Sequence, residues 1–411
     1  MAKLRPFRAL QPNSENASRL ASVPYDVVNR DEAAKLAQGN PISFLRVSRP
    51  ELELAPDTQP YSDTVYERAR TNLEKLIREC PMKTDETPAL FIYRLQQGKH
   101  EQVGIAATYS IDEYENGVIK RHELTRKDKE DDRTRHVLTL KAQTGPVYLA
   151  YPGTAEINAW VSRKIAADKP LYDFRAEDGV THTLWRIDQT DSLTQAFALV
   201  KNLYIADGHH RAASAARARA ELRAANPRHR GDEDYNFFLA VAFPSEQLRI
   251  LAYNRVLKDL NGMTPASLLE KLKPTFQISE TLQIVPPAGL FAMYLERKWY
   301  ELKPLSPIPQ TDPLAKLDVS ILQNLILAPL FGIQDPRTDK RIDFVGGIRG
   351  TEGLVSLVDS GQAKVAFSLH ATSLNELMAV TDRDQIMPPK STWFEPKLRD
   401  GLLSHWIENP K

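Results

Sequence analysis

The sequence of 411 residues contains a single cysteine, Cys80. One thiol excludes an internal disulfide, a cysteine-based zinc site and an iron–sulfur cluster held by one chain. No stretch approaches the about 18 uninterrupted apolar residues that a membrane span needs, and the first residues lack the apolar segment of a secretory leader. We therefore expect a cytoplasmic protein that has no membrane partner.

The sequence also lacks an excess of charge of either sign. The 54 Lys and Arg residues nearly cancel the 53 Asp and Glu residues, which leaves a formal net charge of +1. A dedicated nucleic-acid binder favours a strong positive excess, so we expect no nucleic-acid partner. The hydrophobic share of 42% is typical of a globular enzyme and too high for a disordered chain.

Local patterns predict an α+β protein with mixed sheets and flanking helices in at least two sub-domains. Asn29 and Glu32 form the pattern of a capping box that opens a helix. Apolar periodicity predicts a second helix over about 64–78, and two alternating segments predict a hairpin over 89–110. We divide the chain into an N-terminal region, 1–225, and a C-terminal region, 226–411, with a proline-rich linker at 303–313.

The most informative segment is a turn between an apolar strand, 202–206, and an alanine-rich helix, 212–225. The turn reads Asp207-Gly208-His209-His210-Arg211. Glycine permits a close approach to a ligand, a helix start favours an anion, and arginine binds phosphate bidentately. Asp207 is placed to hold a metal ion or to orient a histidine, and the histidines can donate hydrogen bonds or transfer protons. The alternative is that Asp207 caps the helix and the histidines are solvated.

This turn resembles the phosphate-binding signature of sulfiredoxin and the related element of the ParB-like superfamily, which includes free-serine kinases. The whole chain is similar to the DUF1015 family, a bacterial and archaeal family of unknown function. The similar motifs run from Arg5-Pro6-Phe7-Arg8-Ala9-Leu10 and Val23-Pro24-Tyr25-Asp26 through His122-Glu123 and the turn to Met387-Pro388-Pro389-Lys390-Ser391-Thr392. The resemblance implies a ParB/sulfiredoxin-like core with an additional α+β sub-domain.

The departures from these relatives narrow the implied activity. Sulfiredoxin has its reactive cysteine where this sequence has His209, and Cys80 lies at the end of an amphipathic helix, where a structural role is expected. Sulfinic-acid repair is therefore disfavoured. ParB-like DNA-binding proteins carry a helix-turn-helix module, and we find no such module in this sequence. What remains in common is a nucleotide phosphate site.

The charged segment 121–133 supplies further residues that phosphoryl transfer requires. A kinase must deprotonate or orient a hydroxyl and neutralise phosphate charge. Glu123, beside His122, is the predicted base. Lys129 and Arg133 lie four residues apart on one predicted helix, and from there they can reach a polyphosphate. The alternative is a solvated helix with ion pairs along its surface.

Two proline-containing motifs complete the set of predicted site residues. After Pro24, Tyr25 offers a flat wall, and Asp26 suits the amino group of an amino-acid substrate or a metal ion. Near the C-terminus, Lys390 is a predicted phosphate partner and Ser391 a predicted hydroxyl donor. For both motifs, simple packing of the loop explains the residues equally well.

Together these patterns predict a nucleotide-dependent phosphotransferase that acts on a small hydroxyl compound, most concretely free L-serine. ATP or ADP would be the donor, and Mg²⁺ would bridge the phosphates. Two alternatives stay open: a phosphohydrolase whose metal is bound by Asp207, His209 and His210, and a regulatory protein that binds nucleotide without turnover. The oligomeric state is also open, and a homo-oligomer is one option.

Overall fold

The computed structural model describes residues 2–79, 82–307 and 311–408. The chain forms two compact units. The first comprises the described residues of Met1–Arg121, Thr125–Leu248 and Pro396–Lys411, and the second those of His122–Leu124 and Arg249–Glu395. The boundary expected after residue 225 therefore falls inside the first unit. The expected linker lies within the second unit, and residues 308–310 of it are outside the described residues.

The first unit contains the following strands and helices. Its strands are β1 (Leu4–Arg5), β2 (Ala9–Gln11), β3 (Lys83–Thr84), β4 (Leu90–Gln97), β5 (His100–Ser110), β6 (Ile119–Lys120), β7 (Ala142–Gln143), β8 (Val147–Tyr151), β9 (Tyr172–Arg175), β10 (Thr181–Ile187), β11 (Leu203–Asp207), β12 (Phe237–Pro244) and β21 (Ser404–Trp406). Its helices are α1 (Ala17–Leu20), α2 (Arg30–Ala37), α3 (Leu45–Ser48), α4 (Asp63–Glu79), α5 (Ile111–Glu115), α6 (Lys127–Leu140), α7 (Ala155–Ala167), α8 (Asp191–Phe197) and α9 (His209–Ala225).

A nine-stranded sheet organises this unit, in the order β6-β11-β8-β12-β5-β4-β10-β9 with β1 paired to β5. Strands β4 and β5 form the predicted hairpin. Their paired residues run from Phe91 opposite Ala106 to Gln97 opposite His100. All eight residues of β12 are buried, as expected for a central strand covered on both faces. The adjacent strands β8 and β11 bring the Gly208 turn to the end of this sheet.

Helices α6 and α9 pack against each other beside the sheet. The small residues Ala212, Ala215 and Ala218 of α9 are buried, which allows close packing. The Ser214 hydroxyl donates to the Glu130 carbonyl over 3.3 Å, and Arg217 pairs with Asp131 at 2.6 Å. The start of α6 is therefore held against the middle of α9 by direct contacts.

A small sheet of the first unit joins distant parts of the chain, in the order β3-β2-β21-β7. Strand β21, near the C-terminus, pairs with β2 near the N-terminus. Just before it, Ser22 and Asp400 form an isolated bridge with reciprocal backbone hydrogen bonds of 3.1 and 2.9 Å. The C-terminal segment is thereby fixed beside the loop that contains Tyr25.

The second unit is built on a six-stranded sheet in the order β15-β17-β16-β19-β14-β18, and a separate pair, β13-β20. Its strands are β13 (Ile250–Leu251), β14 (Tyr253–Leu257), β15 (Phe276–Glu280), β16 (Phe291–Leu295), β17 (Lys298–Pro304), β18 (Ile342–Gly346), β19 (Val365–Ser368) and β20 (Trp393–Phe394). Its helices are α10 (Pro265–Leu272), α11 (Asp318–Leu322), α12 (Ala328–Phe331), α13 (Gly350–Asp359) and α14 (Leu374–Thr381), and a π-helical turn, Gln323–Leu327, joins α11 to α12.

The α+β class expected from the sequence is confirmed. The main local difference concerns the turn. The first helical turn of α9 contains His209, His210 and Arg211, which we expected in the connection before the helix. The reason is that Gly208, at φ +90°, already reverses the chain and serves as the N-cap. Among the described residues, none of the helices combines the length and apolar character needed to cross a lipid bilayer.

The capping box of α2 gives the first testable prediction. Asn29 accepts from the backbone N–H of Glu32, and the Glu32 carboxylate accepts from the backbone N–H of Asn29, both at 2.9 Å. Asn29→Ala should lower the free energy of unfolding by about 1 kcal/mol in urea titrations, because a helix-start N–H loses its acceptor. The matched variant Asn29→Ser keeps an acceptor and should stay near wild type; equal losses in both variants would contradict the capping role.

Candidate functional site

The Gly208 turn is shaped by a backbone conformation that other residues adopt only with strain. Its φ is +90°, and a Cβ built on it would lie 3.0 Å from Nε of Arg211. Glycine is therefore required both for the turn and for the close approach of the Arg211 side chain. The first turn of the following 17-residue helix presents N–H groups that the helix itself does not bond, which favours an anion at this position.

Asp207 is held in an ion-paired arrangement. Its Oδ1 accepts from the Gly208 N–H over 2.8 Å, and its Oδ2 lies 2.9 Å from Nζ of Lys397 and 3.8 Å from the guanidinium of Arg211. Lys397 belongs to the C-terminal segment, and no sequence pattern singled it out. These contacts orient the turn, and the metal-ligand role suggested for Asp207 stays a prediction.

His210 connects the start of α9 with the start of α6. Its Nε2 accepts from the backbone N–H of Arg126, the N-cap of α6, over 3.0 Å. Because this nitrogen accepts, the neutral ring carries its proton on Nδ1. Two helix starts therefore meet at one histidine. His209, the first residue of α9, is buried.

Arg211 points into the protein interior. Its side chain is 10% exposed, and one terminal nitrogen donates to the Pro146 carbonyl. Burial acts to lower the pKa of Arg211, but the carboxylates of Asp26, Asp207 and Asp400 outweigh burial and raise it. Its Nε has no hydrogen-bond partner among the described residues. In the structure the guanidinium of Arg211 faces these carboxylates. The phosphate-binding role expected for Arg211 remains a prediction.

A cavity of about 40 Å³ lies beside Arg211 in the first unit. The guanidiniums of Arg133 and Arg211 and the side chains of Tyr25, His136 and Asp400 are among its walls. Arg133 packs over the Tyr25 ring at 4.3 Å and pairs with Asp132 at 2.7 Å. The structure thus brings together Tyr25, Arg133 and Arg211, which the sequence had placed in three separate motifs.

Asp400 is a member of this site that sequence reasoning missed, since it stands alone in an unremarkable C-terminal segment. It is buried, and its Oδ1 has no hydrogen-bond partner among the described residues. Burial raises the pKa of Asp400 to about 7, against the opposing effect of Arg211, and the nearby Asp26 adds to the rise. Asp400 therefore changes charge near neutral pH.

The remaining groups around the cavity stay in one protonation state at neutral pH. Burial, followed by the charge of Arg133, lowers the pKa of His136 to about 4, and its Nε2–H donates to the Val47 carbonyl over 3.0 Å. Burial, followed by the charge of Asp26, raises the pKa of Tyr25. Asp26 itself is exposed. Asp400 is therefore the wall residue that responds to pH in the physiological range.

The side chains of Lys129 and Arg133 have different neighbours in the structure, and their expected contact with a polyphosphate stays a prediction. Nζ of Lys129 lies 3.0 Å from the Tyr61 hydroxyl and 5.6 Å from the centre of that ring. Arg133 turns instead toward Tyr25 and the cavity. Cys80, for which a structural role was expected, lies outside the described residues.

The other predicted site residues belong to the second unit. His122 is buried and hydrogen-bonds to the Thr392 hydroxyl over 3.1 Å, while Glu123 lines a cavity of that unit. Ser391 is buried, and its hydroxyl donates to the Pro388 carbonyl over 2.6 Å. The hydroxyl proton of Ser391 is therefore used within its own loop, and the substrate-binding role expected for Ser391 stays a prediction. Lys390 is exposed, at φ +55°, with Nζ 5.5 Å from the centre of the Tyr253 ring.

The fold and the turn define an α+β protein with a glycine-initiated helix start suited to anions. The chain belongs to the DUF1015 family of proteins of unknown function, whose model matches residues 4–320. No curated protein matches the sequence.

Several solved structures are similar to the chain at low identity. A free serine kinase in complex with AMP is 16% identical, with a TM-score of 0.37, and the match covers 75% of this chain and 94% of that one. A conserved hypothetical protein from Pyrococcus furiosus is 16% identical, with a TM-score of 0.36 and coverage of 73% and 94%. A C-terminally truncated SbnI from Staphylococcus aureus is 11% identical, with a TM-score of 0.39 and coverage of 72% and 85%. Similarity of this degree assigns no activity to the chain.

The raised pKa of Asp400 predicts a pH dependence of stability. A carboxyl whose pKa is about 7 when folded and about 4 when unfolded binds its proton more tightly in the folded state. Its contribution to the free energy of unfolding is full below about pH 4 and is lost as the pH rises to about 7. Asp400→Asn imitates the protonated form, so its stability relative to wild type should increase between pH 5 and pH 8 in urea titrations.

The exposed Asp57 provides the control for this measurement. Asp57→Asn should change the free energy of unfolding equally at both pH values. A constant difference between wild type and Asp400→Asn across this pH range would contradict the proton uptake by Asp400.

Proposed function

We propose that the chain is a nucleotide-dependent phosphotransferase that transfers a phosphoryl group to the hydroxyl of a small molecule, with free L-serine as the first acceptor to test. ATP or ADP is the proposed donor. The acceptor hydroxyl gives its proton to a base, its oxygen bonds to the terminal phosphorus, and the nucleotide leaves one phosphate shorter. Mg²⁺ enters the proposal as a companion of the nucleotide, with Asp207 as its suggested protein ligand.

The observation that carries this proposal is the hydrogen bond from the Arg126 N–H to His210. It joins the starts of α6 and α9, so two helix dipoles present their positive ends at one place. One helix start is sufficient to bind a single anion, whereas a polyphosphate carries several adjacent negative charges and matches two helix starts. Gly208 adds the bare backbone that allows phosphate oxygens to come close.

The adjacent cavity supports a small acceptor. Its volume of about 40 Å³ admits a polar head group and excludes a nucleoside. Arg133 and Arg211 are suited to a carboxylate, because guanidinium groups bind carboxylates with two parallel hydrogen bonds. Asp400, with an unpartnered Oδ1, is suited to an ammonium group. A zwitterionic amino acid matches this set of groups, which is why L-serine is the first acceptor.

His210 tests the nucleotide half of the proposal. His210→Ala removes the acceptor of the Arg126 N–H and a ring donor, so affinity for ADP or ATP should fall by about 10- to 100-fold, as expected for a hydrogen bond to a charged group. Isothermal titration calorimetry provides the measurement. The matched variant His229→Ala removes a histidine from a surface loop and should leave affinity within about twofold; equal affinities in the two variants would contradict the phosphate site.

Glu123 tests the chemical step. It stays the proposed base, and Glu123→Gln keeps its shape without its proton affinity. Loss of a general base should lower kcat by about 10²–10⁴, while nucleotide affinity stays within about threefold. Single-turnover transfer to L-serine measures the first quantity, and the calorimetric titration measures the second. Turnover at the wild-type rate would remove Glu123 from the mechanism.

The control for the Glu123 experiment is Glu280→Gln, which removes an exposed carboxylate paired with Lys298 in the same unit. It should leave kcat unchanged, because an exposed ion pair contributes at most about 1 kcal/mol to stability.

The same assay separates the classes of activity. Nucleotide loss that requires L-serine supports the phosphotransferase, phosphate release without L-serine indicates a hydrolase, and binding without turnover indicates a regulatory protein.

A further inference from the structure

The second unit contains a cavity whose walls include Glu123 but no residue of the proposed phosphate site. Its volume of about 530 Å³ lies within the range of about 300–1,000 Å³ that is usual for small-molecule sites. Its walls come from the segment 123–124, the residues around α11, the loop 334–337 and the loop 386–389. Every wall residue belongs to the second unit.

Two polar wall residues have buried atoms that lack a hydrogen-bond partner among the described residues. They are Oγ of Ser320, a residue that is 5% exposed, and Oε1 of Gln323. The Gln323 side chain is fixed, because its Nε2 donates to the Ile333 carbonyl over 2.7 Å. A buried polar atom without a partner costs about 1–3 kcal/mol. A hydrogen-bond donor that reached either atom would relieve this cost.

The position of Gln323 has a structural cause. It begins the π-helical turn Gln323–Leu327, where the regular hydrogen-bond pattern of α11 is interrupted. Single π-helical turns within helices occur frequently at functional sites. The irregular turn places Gln323 and Asn324 together in the cavity wall.

The carboxylates of the wall are electrically balanced by arginines. Asp335 forms a two-point pair with Arg337, at 2.7 and 2.9 Å. Asp312 accepts hydrogen bonds from the backbone N–H of Leu314 and from the side-chain amide of Gln385. These contacts, together with the charge of Arg383, lower the pKa of Asp312.

The third carboxylate, Glu123, is also balanced. Its charge acts on the buried Arg255. Burial lowers the pKa of Arg255 to about 10, and the charges of Tyr253 and Glu123 act to raise it. Arg255 therefore remains charged at neutral pH. A cationic or an anionic ligand would add an uncompensated charge to this balanced wall, whereas a neutral ligand would not. The carboxylate and amide oxygens nevertheless remain strong hydrogen-bond acceptors.

We infer that this cavity binds a neutral polyhydroxy compound, a sugar or a cyclitol. Its hydroxyls would donate to Gln323, Ser320 and the carboxylates, and its C–H faces would pack on the apolar wall residues Leu314, Ala315 and Met387. The inference does not rest on the proposed function, because binding requires neither nucleotide nor transfer.

The test is a titration of the full-length protein, without nucleotide, with D-glucose, sucrose and myo-inositol, followed by saturation-transfer NMR and calorimetry. At least one of these probes should bind. Ser320→Ala should weaken that binding by about three- to tenfold, the effect of one hydrogen bond. Ala315→Phe should abolish it, because the ring occupies the cavity.

Matched controls in the same unit are Ser279→Ala and Ala288→Phe, both at exposed positions outside the cavity. They should bind the probes as wild type does, and circular dichroism checks that every variant is folded. Absence of binding by all three probes overturns the inference. So does undiminished binding in Ala315→Phe, or a preference for spermidine or citrate over the neutral probes.

Discussion

The buried guanidinium of Arg211 is the constraint on which the first unit depends. A charge taken out of water is tolerated only where opposite charges and hydrogen bonds compensate it. Here the compensation comes from Asp207 at the end of β11, Asp26 in the N-terminal loop and Asp400 near the C-terminus. These three residues are far apart in sequence, so one side chain draws three segments of the chain to one site.

The same constraint explains why position 208 needs glycine. The Arg211 side chain folds back along the turn, and a Cβ on residue 208 would lie 3.0 Å from its Nε. The left-handed backbone and the absence of a side chain therefore serve two purposes: they start α9 sharply, and they leave room for the arginine. Lys397 then secures Asp207 from the other side, at 2.9 Å.

The two units carry different chemistry. In the first unit, charged groups meet at helix starts and around a cavity small enough for a head group. In the second unit, paired carboxylates and amides surround a cavity more than ten times larger in volume, at about 530 Å³ against about 40 Å³. The proposed anion site depends on the helix-start N–H groups of the first arrangement, and the proposed site for a neutral ligand depends on the hydrogen-bond acceptors of the second.

Local patterns in the sequence determined the α+β class, the capping box of α2, the β4–β5 hairpin and the strand–glycine–helix unit around Gly208. Each of these depends on neighbours within a few residues, through hydrogen-bond geometry or periodicity. The tertiary structure decided that Arg211 faces inward and that Lys397 and Asp400 join it. It also decided that Ser391 is bonded within its own loop. The Asp207–Lys397 contact joins residues 190 positions apart, and no spacing rule in a single sequence encodes such a distance.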